Sequence, residues 1–251
     1  MDNIRAIGFD FFNTLITVSP PAMAEAVGRL TASLQESGLL FDQKVFFNTH
    51  KEAAIRLIKE TKLTGRETHN RFWISSALNT LGHPILPEDP LIAKAVTAYF
   101  SAFFDYCRLI PGTIEMLEKL KGVYRLGLLS NFTHAPAAKD LLELMGLTPY
   151  FDPIIISGEI GYRKPHPIVF ESLVEKLGVE RERILYVGDD PDPDIIGALQ
   201  AGLRPIWMTY VKDHHLPVVP GYISKEPKDF SYQQVPRISR WEDFLSLLGG
   251  F

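Results

Sequence analysis

Short apolar runs alternate with helical patterns along most of the chain. The first run, Ile4 to Asp10, ends in an acid, and its length and continuous apolarity predict a buried central strand. Four later runs have the same character, at 124–130, 154–157, 184–188 and 205–209. Strands that are apolar on both faces are typical of a parallel sheet covered by helices on each side.

Helices are predicted between these strands, each followed by a glycine, at 113–121, 136–145, 167–177 and 195–201. The alternation predicts a doubly wound parallel α/β sheet, that is, a Rossmann-like core. The stretch 211–236 is rich in proline and polar residues and is expected to be an irregular surface segment. A closing helix is predicted at 239–248, with Ser239 as its N-cap.

The stretch after the first strand shows helical spacing almost throughout. Four helices are predicted there, around 23–34, 45–57, 72–81 and 91–103. We therefore predict an α/β core formed by residues 1–17 and 107–251, with an all-helical cap domain inserted at 18–106.

Composition narrows the class of protein. The chain has 251 residues, 46% of them hydrophobic, a net charge of −4 and one cysteine. Such a charge disfavours nucleic acid as a partner, and one cysteine excludes an internal disulfide. No apolar run approaches the roughly 20 residues that cross a bilayer, and no basic, apolar leader opens the chain. We expect a cytoplasmic protein without a membrane partner.

Acidic residues follow two of the predicted strands. Asp10 ends the first strand, and four aspartates (Asp189, Asp190, Asp192 and Asp194) follow the strand at 184–188. The carboxyl ends of parallel strands meet at one edge of the sheet, where ligands bind. Clustered carboxylates repel one another without a cation, and Mg²⁺ prefers such oxygens, so the pattern predicts a magnesium site. A solvated acidic loop, with Asp192 or Asp194 capping the next helix, is the alternative.

Polar residues follow two more of the predicted strands. Ser130 and Asn131 close the strand at 124–130, and Lys164 lies beyond the strand at 154–157. A hydroxyl, an amide and a cation at one edge could hold the oxygens of a phosphate or a carboxylate. Taken singly, each also fits a turn residue or a solvated lysine.

Four segments, in order, resemble the motifs of the haloacid dehalogenase-like hydrolase superfamily. They are FDFFNTL from residue 9, LLSN from 128, GYRKPHPIVF from 161 and VGDDPDPDIIGA from 187. The helical insertion resembles the class I cap of that family. The resemblance implies a hydrolase, and more narrowly a Mg²⁺-dependent phosphatase of a small phosphorylated metabolite.

The resemblance also implies residue roles. Asp10 would attack phosphorus and form an aspartyl-phosphate. Lys164 would offset the charge between nucleophile and phosphate. The residues that hold the phosphoryl group or the substrate would be Thr14, Ser130, Asn131 and Lys164. The ligands of Mg²⁺ would be the carboxylates of Asp10, Asp189 and Asp194 and the backbone carbonyl of Phe12.

The sequence departs from the family pattern at Phe12. Phosphatases of the family carry an aspartate there, which protonates the leaving oxygen, and a positioned acid contributes on the order of 10²–10⁴ in rate. We therefore expect a slow phosphatase, a substrate with a good leaving group, or a proton from another residue. His134 and His166 are candidates, although a hydrogen-bonded surface histidine is the simpler interpretation of each.

Two alternatives stay open. The 2-haloacid dehalogenases also carry an aromatic residue at the position of Phe12, and halide leaves without a proton. They work without metal, however, and lack the acidic Gly188-Asp189-Asp190 segment, which therefore favours phosphoryl chemistry. A family member without its general acid could instead be a binding or regulatory protein.

The cap is expected to select the substrate. Five of its residues could face the crevice or be solvated: Arg56, Arg66, His69, Arg71 and Trp73. The sequence leaves open the identity of the substrate and whether the protein is a monomer or a homodimer.

Overall fold

The computed structural model describes residues 3–216 and 234–249. Its strands are β1 (Ala6–Phe9), β2 (Ile16–Val18), β3 (Cys107–Leu109), β4 (Arg125–Ser130), β5 (Ile154–Ile156), β6 (Ile184–Gly188), β7 (Arg204–Met208) and β8 (Arg237–Ile238). Its helices are α1 (Ala22–Glu36), α2 (Gln43–Thr64), α3 (Asn70–Thr80), α4 (Pro90–Tyr106), α5 (Thr113–Leu120), α6 (Ala135–Leu144), α7 (Ser157–Ile160), α8 (Pro167–Leu177), α9 (Gly197–Gln200), α10 (Tyr210–Asp213) and α11 (Trp241–Leu248).

A six-stranded parallel sheet forms the core, in the order β5-β4-β1-β6-β7-β8. Strand β1 lies between β4 and β6, with Gly8 opposite Gly127 on one side and Tyr186 on the other. Apolar side chains pack on both faces of the sheet, as the continuous apolar runs predict. The predicted doubly wound α/β fold is confirmed.

One face of the sheet carries two adjacent glycines beneath α8. A Cβ atom at Gly8 would lie 2.8 Å from Leu173 Cδ2, and one at Gly127 would lie 2.8 Å from Leu173 Cδ1. Both distances are shorter than real contacts allow, so these glycines let α8 approach the sheet closely. Lys164 lies in the segment just before α8.

Helices α1 to α4 lie between β2 and β3, which pair antiparallel with Ile16 opposite Leu109. Helix α1 packs along α4, and α2 packs along α3. Arg29 of α1 donates hydrogen bonds to Asp105 at 2.6 Å and to Ser101 at 3.1 Å on α4. The four helices lie where the sequence pattern predicts them, while the division into domains at 17/18 and 106/107 stays a prediction.

The segment after β6 differs from the predicted helix at 195–201. A π-helical turn (Pro191–Ile196) precedes the short helix α9. The prolines at 191 and 193 lack N–H groups, and the N–H groups of Asp194 and Ile195 both donate to Asp190 O, at 3.1 and 3.4 Å. Asp190 caps this turn by accepting from Asp192 N at 3.3 Å, so the alternative of a cap at Asp192 or Asp194 is wrong.

The closing helix α11 begins two residues later than predicted, at Trp241. Ser239 is not its N-cap, because β8 pairs with β7 up to Ile238 and Arg240, with an extended backbone, takes the N-cap position. Most of the predicted irregular segment lies outside the described residues. Within the described part of the chain, no helix combines the length and apolarity needed to cross a bilayer.

Candidate active site

Asp10 stands at the carboxyl end of the central strand β1. Its backbone N–H donates to Val187 O at 2.8 Å, which continues the ladder with β6 by one residue. The chain then turns, with the N–H groups of Leu15 and Ile16 both donating to Phe11 O. This turn buries Thr14 and directs its hydroxyl at Asp10 Oδ2, 3.3 Å away. Thr14 thus holds one oxygen of the Asp10 side chain, and only 6% of the residue is exposed.

Lys164 provides the cation of the site. Its Nζ lies 2.5 Å from Asp10 Oδ1 and 2.6 Å from Asp194 Oδ1. The same ammonium lies 2.8 Å from the Tyr186 hydroxyl and 2.9 Å from Leu129 O. Only 3% of Lys164 is exposed. A buried ammonium with two carboxylate partners stays charged, and it links the segments after β1, β5 and β6.

Asn131 holds the backbone of the lysine rather than its side chain. Its amide oxygen accepts from Lys164 N at 2.7 Å, and its amide nitrogen donates to Lys164 O at 3.0 Å. Ser130, just before it, is buried at the end of β4. The two segments that follow β4 and β5 are therefore joined at the site, and the predicted contact of Asn131 with substrate stays untested.

Asp194 organises the acidic loop after β6. Its Oδ2 accepts from the backbone N–H of Asp189 at 3.1 Å and of Asp190 at 3.0 Å. A Cβ atom at Gly188 would lie 2.5 Å from Asp194 Cβ, so only glycine allows this close approach. Trp207 Nε1 donates to Asp189 O at 2.8 Å and fixes the other side of the loop.

Three carboxylates converge at this point. Asp10, Asp189 and Asp194 each offer an oxygen within 4.8 Å of the others. Burial raises the pKa of Asp10 to about 7, and Asp194 adds to this while Lys164 opposes it. Burial, followed by the charges of Asp10 and Asp194, raises the pKa of Asp189 well above its usual range. Burial alone would lower the pKa of Lys164, but Asp10 and Asp194 raise it well above the usual value.

The donor set fits an oxygen-preferring divalent cation. One ammonium balances only one of the three carboxylates, and Asp189 remains partly exposed, which gives a cation access. Such hard cations take carboxylate oxygens, backbone carbonyls and water. Asp10 and Asp189 are 179 positions apart in the sequence, and the structure brings them together as predicted. The Phe12 carbonyl stays a predicted further ligand.

An aromatic wall stands at Phe12, the position where the resemblance implies a missing acid. The Phe12 ring stacks on Phe132 with centroids 5.2 Å apart and meets Phe103 of α4 edge-on at 6.3 Å. Phe12 is 8% exposed. This wall joins the core to the helical insertion beside Asp10.

The two histidines that could replace the missing acid have structural partners. His69 Nδ1 accepts from Arg71 N, so His69 Nε2 carries the proton and donates to His134 Nδ1 at 2.9 Å. Burial lowers the pKa of His134, whose ring stacks on Phe100. His166 caps α8 by accepting from Ile168 N at 3.3 Å. Neither set of contacts identifies His134 or His166 as the proton donor.

A second set of contacts joins the insertion to the core. Glu67 Oε2, in the α2–α3 connection, accepts from Ser157 Oγ at 2.5 Å. Ser157 Oγ in turn accepts from the backbone N–H of Phe132 at 2.8 Å. Arg163 N, next to Lys164, donates to Gly65 O at 3.0 Å. Sequence patterns missed these contacts, because a glutamate in a polar connection is indistinguishable from a solvated one.

The proposed cap residues lie in three places: at the seam, where the insertion contacts the core, inside the insertion, and on its outer surface. His69 bonds to His134, and Arg66 lies over the ring of Tyr162 at 5.6 Å, so both are at the seam. Trp73 packs against His50 inside the insertion. Arg56 donates to Ser76 at an exposed site.

The fold and this site define the class of protein: a doubly wound α/β protein with a carboxylate and lysine cluster at its strand ends and a helical insertion after the first strand. A model of the haloacid dehalogenase-like hydrolase family matches residues 4–202. The chain therefore belongs to the haloacid dehalogenase-like hydrolase family.

Individual relatives agree with this placement. A glyceraldehyde 3-phosphate phosphatase of Methanopyrus kandleri is 32% identical over 201 residues, which cover 80% of this chain and 82% of the relative. The pyrimidine 5′-nucleotidase YjjG of Escherichia coli is 35% identical over 116 residues, 46% of this chain and 51% of its own. The crystal structure of a 2-haloacid dehalogenase from Pseudomonas syringae pv. Tomato DC3000 shares the fold, with a TM-score of 0.71, 22% identity and 98% of each chain covered.

Proposed function

We propose that the protein is a Mg²⁺-dependent phosphatase of a small phosphorylated metabolite, with Asp10 as nucleophile. The observation that carries this proposal is the bridging position of Lys164 between Asp10 and Asp194, beside Asp189. Relatives named as phosphatases and as a nucleotidase support phosphate esters over haloacids as substrates. Helices α1 to α4 act as the cap over this site.

The chemistry takes two displacements. An oxygen of Asp10 bonds to phosphorus while the bond to the ester oxygen breaks, and the released alkoxide takes a proton from water because Phe12 cannot supply one. Water then attacks phosphorus and gives a proton to the hydroxide left by the first step, the bond to Asp10 breaks, and inorganic phosphate leaves. Lys164 offsets negative charge throughout. A bound Mg²⁺, held by Asp10, Asp189 and Asp194, would neutralise phosphoryl oxygens.

A turnover panel tests the proposal. Phosphate esters and 2-haloacids are each incubated with Mg²⁺ and with a chelator. Phosphate release that requires Mg²⁺ and disappears in Asp10→Asn is the expected result. The matched control is Asp192→Asn, an exposed aspartate of the same acidic loop, which is expected to leave turnover unchanged.

Thermal unfolding tests the metal site separately. Mg²⁺ is expected to raise the Tm of the wild type and of Asp192→Asn but not that of Asp189→Asn, since only binding to the folded state stabilises. Equal Mg²⁺ shifts in all three proteins would refute the site.

The second candidate function is a metal-independent 2-haloacid dehalogenase. The aromatic wall at Phe12 favours it, since halide leaves without a proton. Chelator-insensitive halide release would establish it in place of the phosphatase. Failure to turn over either substrate class would point to a binding or regulatory protein. A cytoplasmic location and a monomeric or homodimeric state belong to the proposal as predictions from the sequence.

A further inference from the structure

The indole of Trp207 reaches from strand β7 to the acidic loop after β6. Trp207 lies opposite Gly188 in the β6–β7 pair, and its backbone N–H donates to Pro236 O at 2.9 Å on its other side. Its side-chain Nε1 donates to Asp189 O at 2.8 Å. This hydrogen bond ties the loop to a strand that carries none of the proposed catalytic or metal-binding residues.

The backbone of Asp189 is held on both sides of its Cα atom. Asp194 Oδ2 accepts from the N–H groups of Asp189, at 3.1 Å, and of Asp190, at 3.0 Å. A peptide group is planar, so the C=O of Asp189 and the N–H of Asp190 turn as one unit. That unit is held at its N–H end by Asp194 and at its C=O end by Trp207.

The Asp189 carboxylate depends on this backbone for its direction. Among the residues that the structure describes, none donates a hydrogen bond to that carboxylate or forms an ion pair with it. Its oxygen nevertheless lies within 4.8 Å of oxygens of Asp10 and Asp194. The two peptide groups that flank the Cα atom of Asp189 therefore set where the carboxylate points.

The ring of Trp207 is itself held by two cations. Lys212 Nζ of α10 lies over the ring at 5.1 Å from its centroid, and Arg237 Cζ of β8 lies over it at 5.7 Å, both within the range of cation–π contacts. Arg237 is fixed in turn, because it donates to Thr209 Oγ1 at 2.9 Å and pairs with Asp213. Residues outside the acidic loop thus fix the direction of the indole N–H.

We propose that Trp207 is a positioning residue of the metal site, which directs the Asp189 carboxylate at the cation by holding the Asp189 carbonyl. This inference rests on the proposed Mg²⁺ site and adds a residue that does not touch the cation. Groups that hydrogen-bond to metal ligands fix their orientation, and losing one weakens metal affinity by roughly 10–100-fold. The bond here reaches the main chain of the ligand, so the lower end of that range is expected.

The test is calorimetric titration of Mg²⁺ into Trp207→Phe, which deletes the N–H and keeps an aromatic ring for Lys212 and Arg237. Its Kd is expected to be about 10-fold higher than that of the wild type. Turnover lost at limiting Mg²⁺ is expected to return at saturating Mg²⁺. The matched control is Trp241→Phe, which deletes the indole N–H that donates to Thr113 Oγ1 at 2.9 Å, and it is expected to keep the wild-type Kd.

A second measurement uses the wild type alone. In its ¹H–¹⁵N spectrum, the indole N–H signal of Trp207 is expected to shift when Mg²⁺ binds, while that of Trp241 is expected to stay in place. A Trp207 signal that does not respond to bound Mg²⁺ would overturn the inference.

The outcomes separate this inference from the proposed phosphatase. Equal Kd values for the wild type and Trp207→Phe would show that Trp207 has only a structural role, whatever the Tm of the variant, and would leave the phosphatase intact. Calorimetry needs no substrate, so weaker binding to Trp207→Phe supports the inference even if no phosphate ester is turned over. A wild type that binds no Mg²⁺ would refute the metal site and this inference together.

Discussion

The ring of Phe12 lies parallel to the ring of Phe132, with 5.2 Å between centroids and 7° between planes. Phe132 belongs to the segment after β4 that also carries Asn131, so this stack ties the turn after Asp10 to the segment that holds Lys164. Phe12 therefore has a packing role in addition to its predicted place at the position of the acid, and the two effects of changing it can be measured apart.

Phe12→Asp is expected to raise turnover of an alkyl phosphate by on the order of 10²–10⁴, because the new carboxyl can protonate the alkoxide. It is also expected to lower the free energy of unfolding by about 3–5 kcal/mol, since a buried ring is lost. Steady-state kinetics and urea unfolding measure the two effects. Phe12→Asn, which loses the ring without gaining a transferable proton, is the control. A gain in both variants, or no gain in a folded Phe12→Asp, contradicts the explanation.

Tyr186→Phe tests how Lys164 is held. The ammonium has three protons, and two are directed to Asp10 and Asp194, so the Tyr186 hydroxyl can accept the third and donate its own to Leu129 O at 3.1 Å. Losing this hydroxyl is expected to lower kcat about 10-fold, the effect of one hydrogen bond to a charged group. Tyr124→Phe, on a partly exposed tyrosine before β4, serves as control. Equal rates in all three proteins would contradict a positioning role for Tyr186.

Glu67→Ala is expected to weaken closure of the cap on the core. The variant removes the acceptor of Ser157 Oγ and the partner of Arg163, and a buried polar group left unpaired costs about 1–3 kcal/mol. Faster proteolysis of the α2–α3 connection and a higher KM are the expected readouts. Glu60→Ala removes a surface ion pair of 3.8 Å with Arg56 and is expected to have little effect. Identical proteolysis of the two variants would show that Glu67 does not hold the insertion to the core.

His50→Phe tests the burial of an uncharged imidazole. Burial lowers the pKa of His50 to about 4, whereas an unfolded histidine has a pKa of about 6.5. Between these values the unfolded chain binds the extra proton, so stability is fully present above pH 6.5 and is lost as the pH falls toward 4. The difference amounts to about 3 kcal/mol. Urea unfolding from pH 4 to 7 is expected to show a flatter profile in the variant, and parallel profiles would contradict the prediction.

Sequence patterns predicted the elements whose signals are local. Helix α8 has the bounds expected from Pro167 at its first position and Gly178 after its last. Strand β6 likewise has the predicted bounds. Asp10 and Asp189 directly follow the paired strands β1 and β6, so parallel pairing brings them to one edge. Lys164 follows β5 only after α7, and its backbone is held there by Asn131. Their catalytic and ligand roles stay predictions.

Contacts between residues that are far apart in the sequence could not be predicted from it. Tyr186 lies within an apolar strand and has the pattern of a core residue, and only the fold brings its hydroxyl to Lys164. Glu67 meets Ser157 across 90 positions of sequence. The π-helical turn depends on two prolines and the Asp190 cap acting together, which helical periodicity does not reveal.

The antiparallel pair β2–β3 places Val18, where the chain enters the helical insertion, opposite Cys107, where it returns. Because the two ends of the insertion are neighbours, the insertion can be exchanged or lengthened without moving the flanking sheet. Under the proposed role of the insertion in substrate selection, substrates can diverge through changes in the insertion while the residues at the strand ends stay the same. A chimera joined at the β2–β3 ribbon tests whether selectivity moves with the insertion.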